Sequence, residues 1–291
     1  MTQESRPLRG LDPWLDRIRE RELPIFGRTA EQIRELTESD KAAVSQLADA
    51  ILRDPGMTAK LLRIANSVIF NTSGAQITTV SRAVVMLGFD MVRQVALTVA
   101  FVDTLLRGPV RERVLREMAR ACHAAVQARW LAARRHDPQP EEVFIAALLC
   151  RFGEMAFWCL AGEDGDALDE ALRRDPHSSG EAEQSLLGFR LPQLTAALAR
   201  DWRVSPLLLS VLAGGHSKRS REQAVVLAAR LAEDSEGGWH GERARACLQE
   251  AADFLQAPAG EVAEAALKNA GEAAAIAECY GAHDAVRFIP Q

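Results

Sequence analysis

The sequence predicts an all-α protein, a compact multi-helix bundle rather than a repeat array. Three observations carry that prediction. Apolar residues recur at helical spacing in nearly every periodic segment. Strand signals are scarce: aromatics are 5% of the 291 residues, and β-branched alternation appears only around "QITTV" at 76–80. No self-similarity of solenoid period is visible along the chain.

The elements follow in order. Ala43, Val44, Leu47, Ile51 and Leu52 make an apolar stripe that ends at "DPG", residues 54–56, because proline cannot continue the hydrogen-bond ladder. Met57, Leu61, Leu62 and Ala65 make the next. "TTVSRAVVMLG" opens on cap-type residues and stops at Gly88, and "FDMVRQVALTVAFVDTLL" resumes the period, which predicts two helices joined by a glycine turn. A long helix is expected from about Val110 to Arg135. "QPEEVFIAALLCRF" opens with Pro140 and two acids, both suited to a helix start, and is expected to run to a turn at Gly153. In "SPLLLSVLAGG", Ser205 caps, Pro206 starts, and Gly214 and Gly215 stop the helix. The polar stretch "AGEDGDALDEALRRDPHSSGEAEQ" reads as a loop with a short helix inside. From about residue 221 three alanine-rich helices are expected, broken at "DSEGGWHG" and "APAG".

Bulk properties narrow the function classes. With 35 Lys+Arg against 40 Asp+Glu, the net charge of −5 gives no global attraction to nucleic acid or anionic membrane. No uninterrupted apolar run approaches the roughly 18 residues of a membrane span, and "MTQESRPLRGLDPW" lacks the apolar stretch of a signal peptide. Cys122, Cys150, Cys159, Cys247 and Cys279 form no CxxC pair and are odd in number, which fits a reducing, cytoplasmic compartment.

"LP" at 23–24, "LADAILRDPGMTAKLLRIANSVIF" and "ITTVSRAVVMLGFDMVRQVALTVAF" together resemble the front half of an HDOD domain, a divergent branch of the HD-domain phosphohydrolase superfamily. "ACHAAVQARWLA", "EEVFIAALLCRFGE" and "LLGFRLPQLTAALARDWRVSPLLLSVLAGGH" resemble its later helices more loosely. The similarity spans roughly residues 20–232 and implies a helical bundle there, in agreement with the periodicity; it leaves an N-terminal segment 1–19 and a C-terminal helical extension 233–291 expected to pack on the bundle.

HD enzymes hold divalent cations with a histidine, a His-Asp pair and a later aspartate. The resemblance carries the first histidine onto His123, the pair onto Cys150 and Arg151, and the last aspartate near Ala229. A thiolate and His123 could still bind zinc, but Arg151 offers no lone pair and stays charged. A dication about 4 Å from it would feel a repulsion of about 8 kcal/mol at an effective dielectric of about 20. Without bridging carboxylates no hydroxide is generated for attack on phosphate. The expectation is no catalytic residue, no metal and no cofactor.

Each of these residues also has a structural explanation. His123 shares a helix face with Leu115, Ala119 and Val126, which suits a buried histidine bonded to a backbone carbonyl. Cys150 suits a core filler, and Arg151 a cation in the last turn of its helix. The sharper alternative is that His123, Cys150 and Arg151 line a vestigial pocket in which Arg151 and His123 bind an anion such as a nucleotide phosphate. Arg107, Arg111, Arg113, Arg116, Arg120, Arg129, Arg134 and Arg135, set against Glu112 and Glu117, read as a solvated basic face. No interleaved aromatics support base stacking there. The helix after Gly88 is too apolar to read DNA bases.

What the resemblance implies is regulatory work in bacterial signal transduction by binding. The bundle begins near residue 20, so an attached signalling module is not expected. Contact with separate protein partners or self-association is expected instead, with residues 233–291 a candidate contact element. The alternative is a metal-dependent phosphohydrolase acting on a nucleotide or cyclic dinucleotide, with a site rebuilt from His216, Asp201 or the acids at 163–166. A third reading is a nucleotide or anion sensor that uses the pocket without turnover.

Overall fold

The computed structural model describes residues 8–20, 27–39, 42–67, 71, 75–89, 91–92, 108–175, 179–214, 220–279 and 283–290. Among them every regular element is a helix: α1 (Leu11–Glu20), α2 (Gly27–Glu38), α3 (Val44–Leu52), α4 (Pro55–Ala65), α5 (Val80–Leu87), α6 (Gly108–Arg134), α7 (Pro140–Leu148), α8 (Phe152–Leu160), α9 (Glu163–Arg174), α10 (Ser179–Leu187), α11 (Leu191–Asp201), α12 (Pro206–Leu212), α13 (Ser220–Asp234), α14 (Glu242–Leu255), α15 (Ala259–Cys279) and a closing 3₁₀ turn His283–Phe288.

The axis of the fold is α6. It is buried on every side from Ala121 to Ala128 and packs against α7, α8, α13, α15 and the 3₁₀ turn. Its Ala119, Ala121, Ala124, Ala125 and Ala128 let those neighbours approach closely. The last long helix uses the same device from its own side. On α15, Val262, Ala266, Ala270, Ala273 and Ala277 recur at three- and four-residue spacing and are all buried. The C-terminal segment therefore lies against α6, and its weakly apolar face is covered by its own chain.

The punctuation residues act as expected. Asp54 Oδ1 accepts from Met57 N at 2.9 Å, with Pro55 in the first turn, so "DP" closes α3 and caps α4 in one stroke. Ser205 Oγ accepts from Leu208 N at 3.2 Å. Gly88 ends α5 at φ 77, a conformation that favours glycine. The continuation expected over 89–106 lies mostly outside the described residues, as do "LP" at 23–24, Arg107 and His216.

Three expectations are corrected. The helix that starts at Pro140 does not run to Gly153: α7 ends at Leu148, a turn spans Leu149–Arg151, and α8 begins at Phe152. Gly153 is not a stop signal but a contact point. A Cβ there would lie 2.4 Å from the Thr195 backbone N, and Gly153 N donates to Thr195 Oγ1 at 3.0 Å, so the missing side chain lets α8 and α11 touch. The polar stretch 161–184 is mainly helical, forming α9 and the start of α10. Only one narrow stripe, centred on Leu168, is buried there, and that kept its apolar signal low. Finally, Pro140–Leu160 is long and apolar enough to cross a membrane by length and composition, which a search for uninterrupted runs overlooks because Arg151 and Glu154 break it. Its most apolar window is 78% buried inside the protein.

Helices α2–α5 form a lobe that docks on the bundle through polar anchors. Asn66, at the end of α4, accepts from Ile77 N at 2.8 Å and donates to Ile77 O at 2.8 Å and to Arg203 O at 3.1 Å. Glu141 of α7 accepts from Val80 N at 3.0 Å and Ser81 N at 3.2 Å, capping α5 from outside. These anchors fix how α4 and α5 sit on the helices that carry the candidate site.

Candidate functional site

Arg151 occupies the N-cap position of α8. A cation there faces the positive end of the helix dipole, the opposite of the last-turn placement expected from sequence. Carboxylates offset this. The guanidinium donates through Nε to Glu117 of α6, lies 3.4 Å from Glu154 Oε2 of α8, and lies 3.7 Å from Glu233 Oε2 of α13. Three helices thus meet on one side chain.

Burial sharpens the electrostatics. Glu117 and Glu154 are 5% and 7% exposed. Burial pushes the Glu117 carboxyl up, but Arg151 and Arg120 outweigh it and hold the group below the usual carboxylate range. For Glu154 burial wins: despite Arg151, its pKa is pushed up to about 8, with Glu117 adding to the rise. Burial also works against the charge on Arg151, and Glu117 and Glu154 overcome it, keeping the group cationic.

His123 lies elsewhere. It is six residues beyond Glu117 on α6, about 240° around the helix at 100° per residue. Gln127 Nε2 stands 3.0 Å from its Nε2 and also donates to Ala266 O of α15 at 2.8 Å, while Gln127 Oε1 accepts from Asn269 Nδ2 at 3.0 Å. Those bonds fix the amide orientation, so the ring Nε2 accepts and the proton sits on Nδ1. Burial lowers the pKa of His123 to about 4, and its ring meets Trp239 edge-on at 5.8 Å. The expected backbone carbonyl partner is replaced by a side-chain amide. Cys150 stands in the α7–α8 turn, half-buried, its thiol pushed up to about 12 by burial.

The structure therefore does not join His123 and Arg151 into one anion pocket. Arg151 lines a cleft of about 730 Å³, together with Arg113, Arg116, Arg120, Arg173 and Arg190, while His123 and Cys150 are not among its lining residues. The arginines read from sequence as a solvated face are largely bound within the protein. Arg113 pairs with Asp169, Arg116 and Arg120 with Glu236 at 3.2 and 2.7 Å, and Arg111 with Asp284 at 2.7 Å. Sequence reasoning missed Glu117, Glu154 and Glu233 as partners of Arg151. The i, i+3 spacing of Glu154 was available, but the other two come from distant helices.

A family model for the HDOD domain matches residues 23–218. The chain belongs to the HDOD family. No curated protein matches it. Among solved structures, this HDOD protein is similar to the MmoQ response regulator of Methylococcus capsulatus, at 23% identity and TM-score 0.64 over 81% of this chain and 96% of that one. It is also similar to a virulence factor of Campylobacter jejuni, at 18% identity and TM-score 0.67 over 90% and 96%. An HDOD domain protein of unknown function from Geobacter sulfurreducens matches at 22% identity and TM-score 0.52 over 93% and 99%. At these identities the likeness concerns the fold.

The positions onto which the resemblance carries the HD metal ligands do not fit a metal in this HDOD chain. The His123 Nε2 lone pair is taken by Gln127, Cys150 holds its proton, Arg151 is a cation, and Ala229 has no donor atom. Among the described residues no three His, Cys, Asp or Glu side chains group as metal ligands. The residues considered for a rebuilt site are scattered. Asp201 accepts from Arg19 at 2.9 Å, and Asp164 accepts from Leu8 N at 3.3 Å.

Proposed function

We propose that this HDOD protein is a non-catalytic regulator of bacterial signalling that acts in the cytoplasm by binding a protein partner rather than by metal-dependent hydrolysis. One observation carries the reading. Where the family resemblance puts a metal-holding pair, Arg151 is set among Glu117, Glu154 and Glu233. A side-chain cation is the counter-ion of that cluster, and a dication would have to displace it against both repulsion and its ion pairs with Glu117 and Glu233. A fold neighbour that is named a response regulator is in keeping with this role.

The test is direct. Purified protein is incubated with millimolar Mn²⁺ or Mg²⁺ and bis-p-nitrophenyl phosphate, and bound metal is counted by mass spectrometry after gel filtration. The expected result is no chelator-sensitive release of nitrophenol and less than stoichiometric metal. Chelator-sensitive turnover that survives repurification would replace the regulatory reading with the hydrolase one.

A further inference from the structure

The arginine-lined cleft between α6, α8, α10 and α11 extends beyond the Arg151 cluster that carries the reading above, and its chemistry specifies a ligand. Its volume of about 730 Å³ lies within the roughly 300–1,000 Å³ range of small-molecule sites. Guanidinium groups from Arg113, Arg116, Arg120, Arg151, Arg173 and Arg190 line it, against the carboxyl groups of Glu117, Glu154, Glu183 and Glu233.

Behind the lining, Asp169 holds Arg113 and Arg173, and Glu236 holds Arg116 and Arg120. These contacts engage one edge of Arg113, Arg116 and Arg173, whereas Arg120 is also met by Glu117 at 3.6 Å. Because the group carries five N–H donors, others remain for an acceptor in the cleft, and the fork is already oriented. The side chain of Glu154 is 9% exposed, lines the cleft, and its Oε2 accepts no hydrogen bond. With its pKa pushed up to about 8, it carries a proton at neutral pH and can donate to an anionic oxygen.

Backbone dipoles add to the field. The first turns of α10 and α11 line the cleft at Ser179, Gly180, Leu191 and Gln193. Gly180 has a specific part: a Cβ there would fall 1.7 Å from Arg190 Nη2, so the guanidinium rests where a side chain would begin. A cation set against the positive end of a helix is a like-charge arrangement that an anion bound between them relieves.

We propose that this cleft binds an organic phosphate of nucleotide size, its phosphoryl oxygens held by Arg173, Arg190 and the α6 arginines. Planar guanidinium forks match phosphate oxygens in pairs. The volume exceeds what a lone phosphate fills, and Leu172, Leu191 and Pro192 supply apolar wall for the organic part. The proposal rests on the non-catalytic reading in one respect, that the ester is held and not cut.

Isothermal titration of the full chain at low salt with AMP, GMP, ATP, GTP and inorganic phosphate tests it. The expected result is saturable heat with at least one nucleotide, weaker binding of inorganic phosphate, and affinity that falls as salt rises. The double variant Arg173→Gln, Arg190→Gln is expected to weaken binding by about tenfold or more with the melting temperature held. No heat from any nucleotide at millimolar concentration, equal affinity in the double variant, or inorganic phosphate binding as tightly as the nucleotides would each overturn the assignment. Phosphorus NMR of the bound mixture separates the two readings. An intact ester supports both, whereas released phosphate would overturn the non-catalytic reading and leave the binding site standing.

Discussion

The Arg151 guanidinium reaches from the α7–α8 turn to donate to the Glu117 carboxylate of α6, bridging 34 positions of sequence. Glu117 is 5% exposed, so removing Arg151 leaves a buried carboxylate with Arg120, 3.6 Å away, as its remaining counter-charge. Arg151→Ala is expected to destabilise the fold by about 2–4 kcal/mol in urea unfolding at neutral pH. The depressed folded pKa of Glu117 fixes the pH dependence. Its contribution is present above the unfolded value near 4.5 and is lost as pH falls through the folded one. The gap between wild type and variant should therefore narrow in acid, and an unchanged gap at pH 4 would contradict the ion-pair account.

Glu154 gives the opposite sign. Its folded pKa is raised to about 8 from 4.5, so its contribution is full below the unfolded value and is lost as pH rises through about 8. Glu154→Gln keeps the shape and removes the titration. The variant should gain on the wild type between about pH 4.5 and 8, by about 1 kcal/mol per pH unit, and no further above that. Parallel stability curves for the two proteins would sink this prediction.

His123 dominates a different window. Its neutral ring is held between Gln127 and Trp239, with a folded pKa of about 4 against 6.5 unfolded. That contribution is present above pH 6.5 and is lost as pH falls towards 4, a loss of about 2–4 kcal/mol. His123→Leu forfeits the Gln127 bond but also removes Nδ1, which has no hydrogen-bond partner. It should be less stable than wild type by no more than about 1 kcal/mol at pH 7.5 and should lack the acid slope in guanidinium melts taken from pH 4 to 7.5.

Two glycine-to-alanine changes separate contact from propensity. At Gly153 the added methyl meets the Thr195 backbone at 2.4 Å, and the two helices must part. The expected loss is about 3 kcal/mol, from overpacking and a weakened Gly153–Thr195 hydrogen bond. Gly271 of α15 is exposed with open space around its Cβ position, and Gly271→Ala should stabilise by up to about 1 kcal/mol through helix propensity. Thermal melts of both variants, compared with wild type, check the signs.

The helices were legible because their signals are local. Proline and cap residues at Asp54, Ser205 and Gly88 determine ends within one turn, and apolar spacing marks the buried face. The turn at Leu149–Arg151 was not legible, since every residue from Val143 to Leu149 is buried and the apolar run shows no break. The site was legible only in part. Arg151 stood out by its chemistry against the family pattern, and its i, i+3 neighbour Glu154 was within reach. Glu117 and Glu233 were not, because nothing in a linear pattern says which face of α6 or α13 turns towards the α7–α8 turn. The same limit hid the separation of His123 from Arg151. Both stand at family site positions, yet His123 packs towards α15, outside the 23–218 family match.

Asn66 supplies the last prediction. Its amide links the end of α4 to Ile77 and, 137 positions on, to the carbonyl of Arg203, which Gln76 Nε2 also reaches at 2.7 Å. Arg203 adopts φ 52, a left-handed conformation that costs a non-glycine residue about 1–2 kcal/mol. That conformation turns the α11 end so that its carbonyl faces the lobe. Asn66→Ala leaves the Ile77 amide and the Ile77 carbonyl short of a partner, while Gln76 still reaches the Arg203 carbonyl, and about 2–4 kcal/mol of stability should be lost. Arg203→Gly keeps the carbonyl and relieves the strain while adding unfolded-state freedom, so its stability should stay within about 1 kcal/mol of wild type. Hydrogen exchange locates the effect. In Asn66→Ala the amide of Ile77 should lose protection first, ahead of the α6 core. Protection at Ile77 that matches the wild type would show that the lobe is held by Glu141 and its helix cap alone.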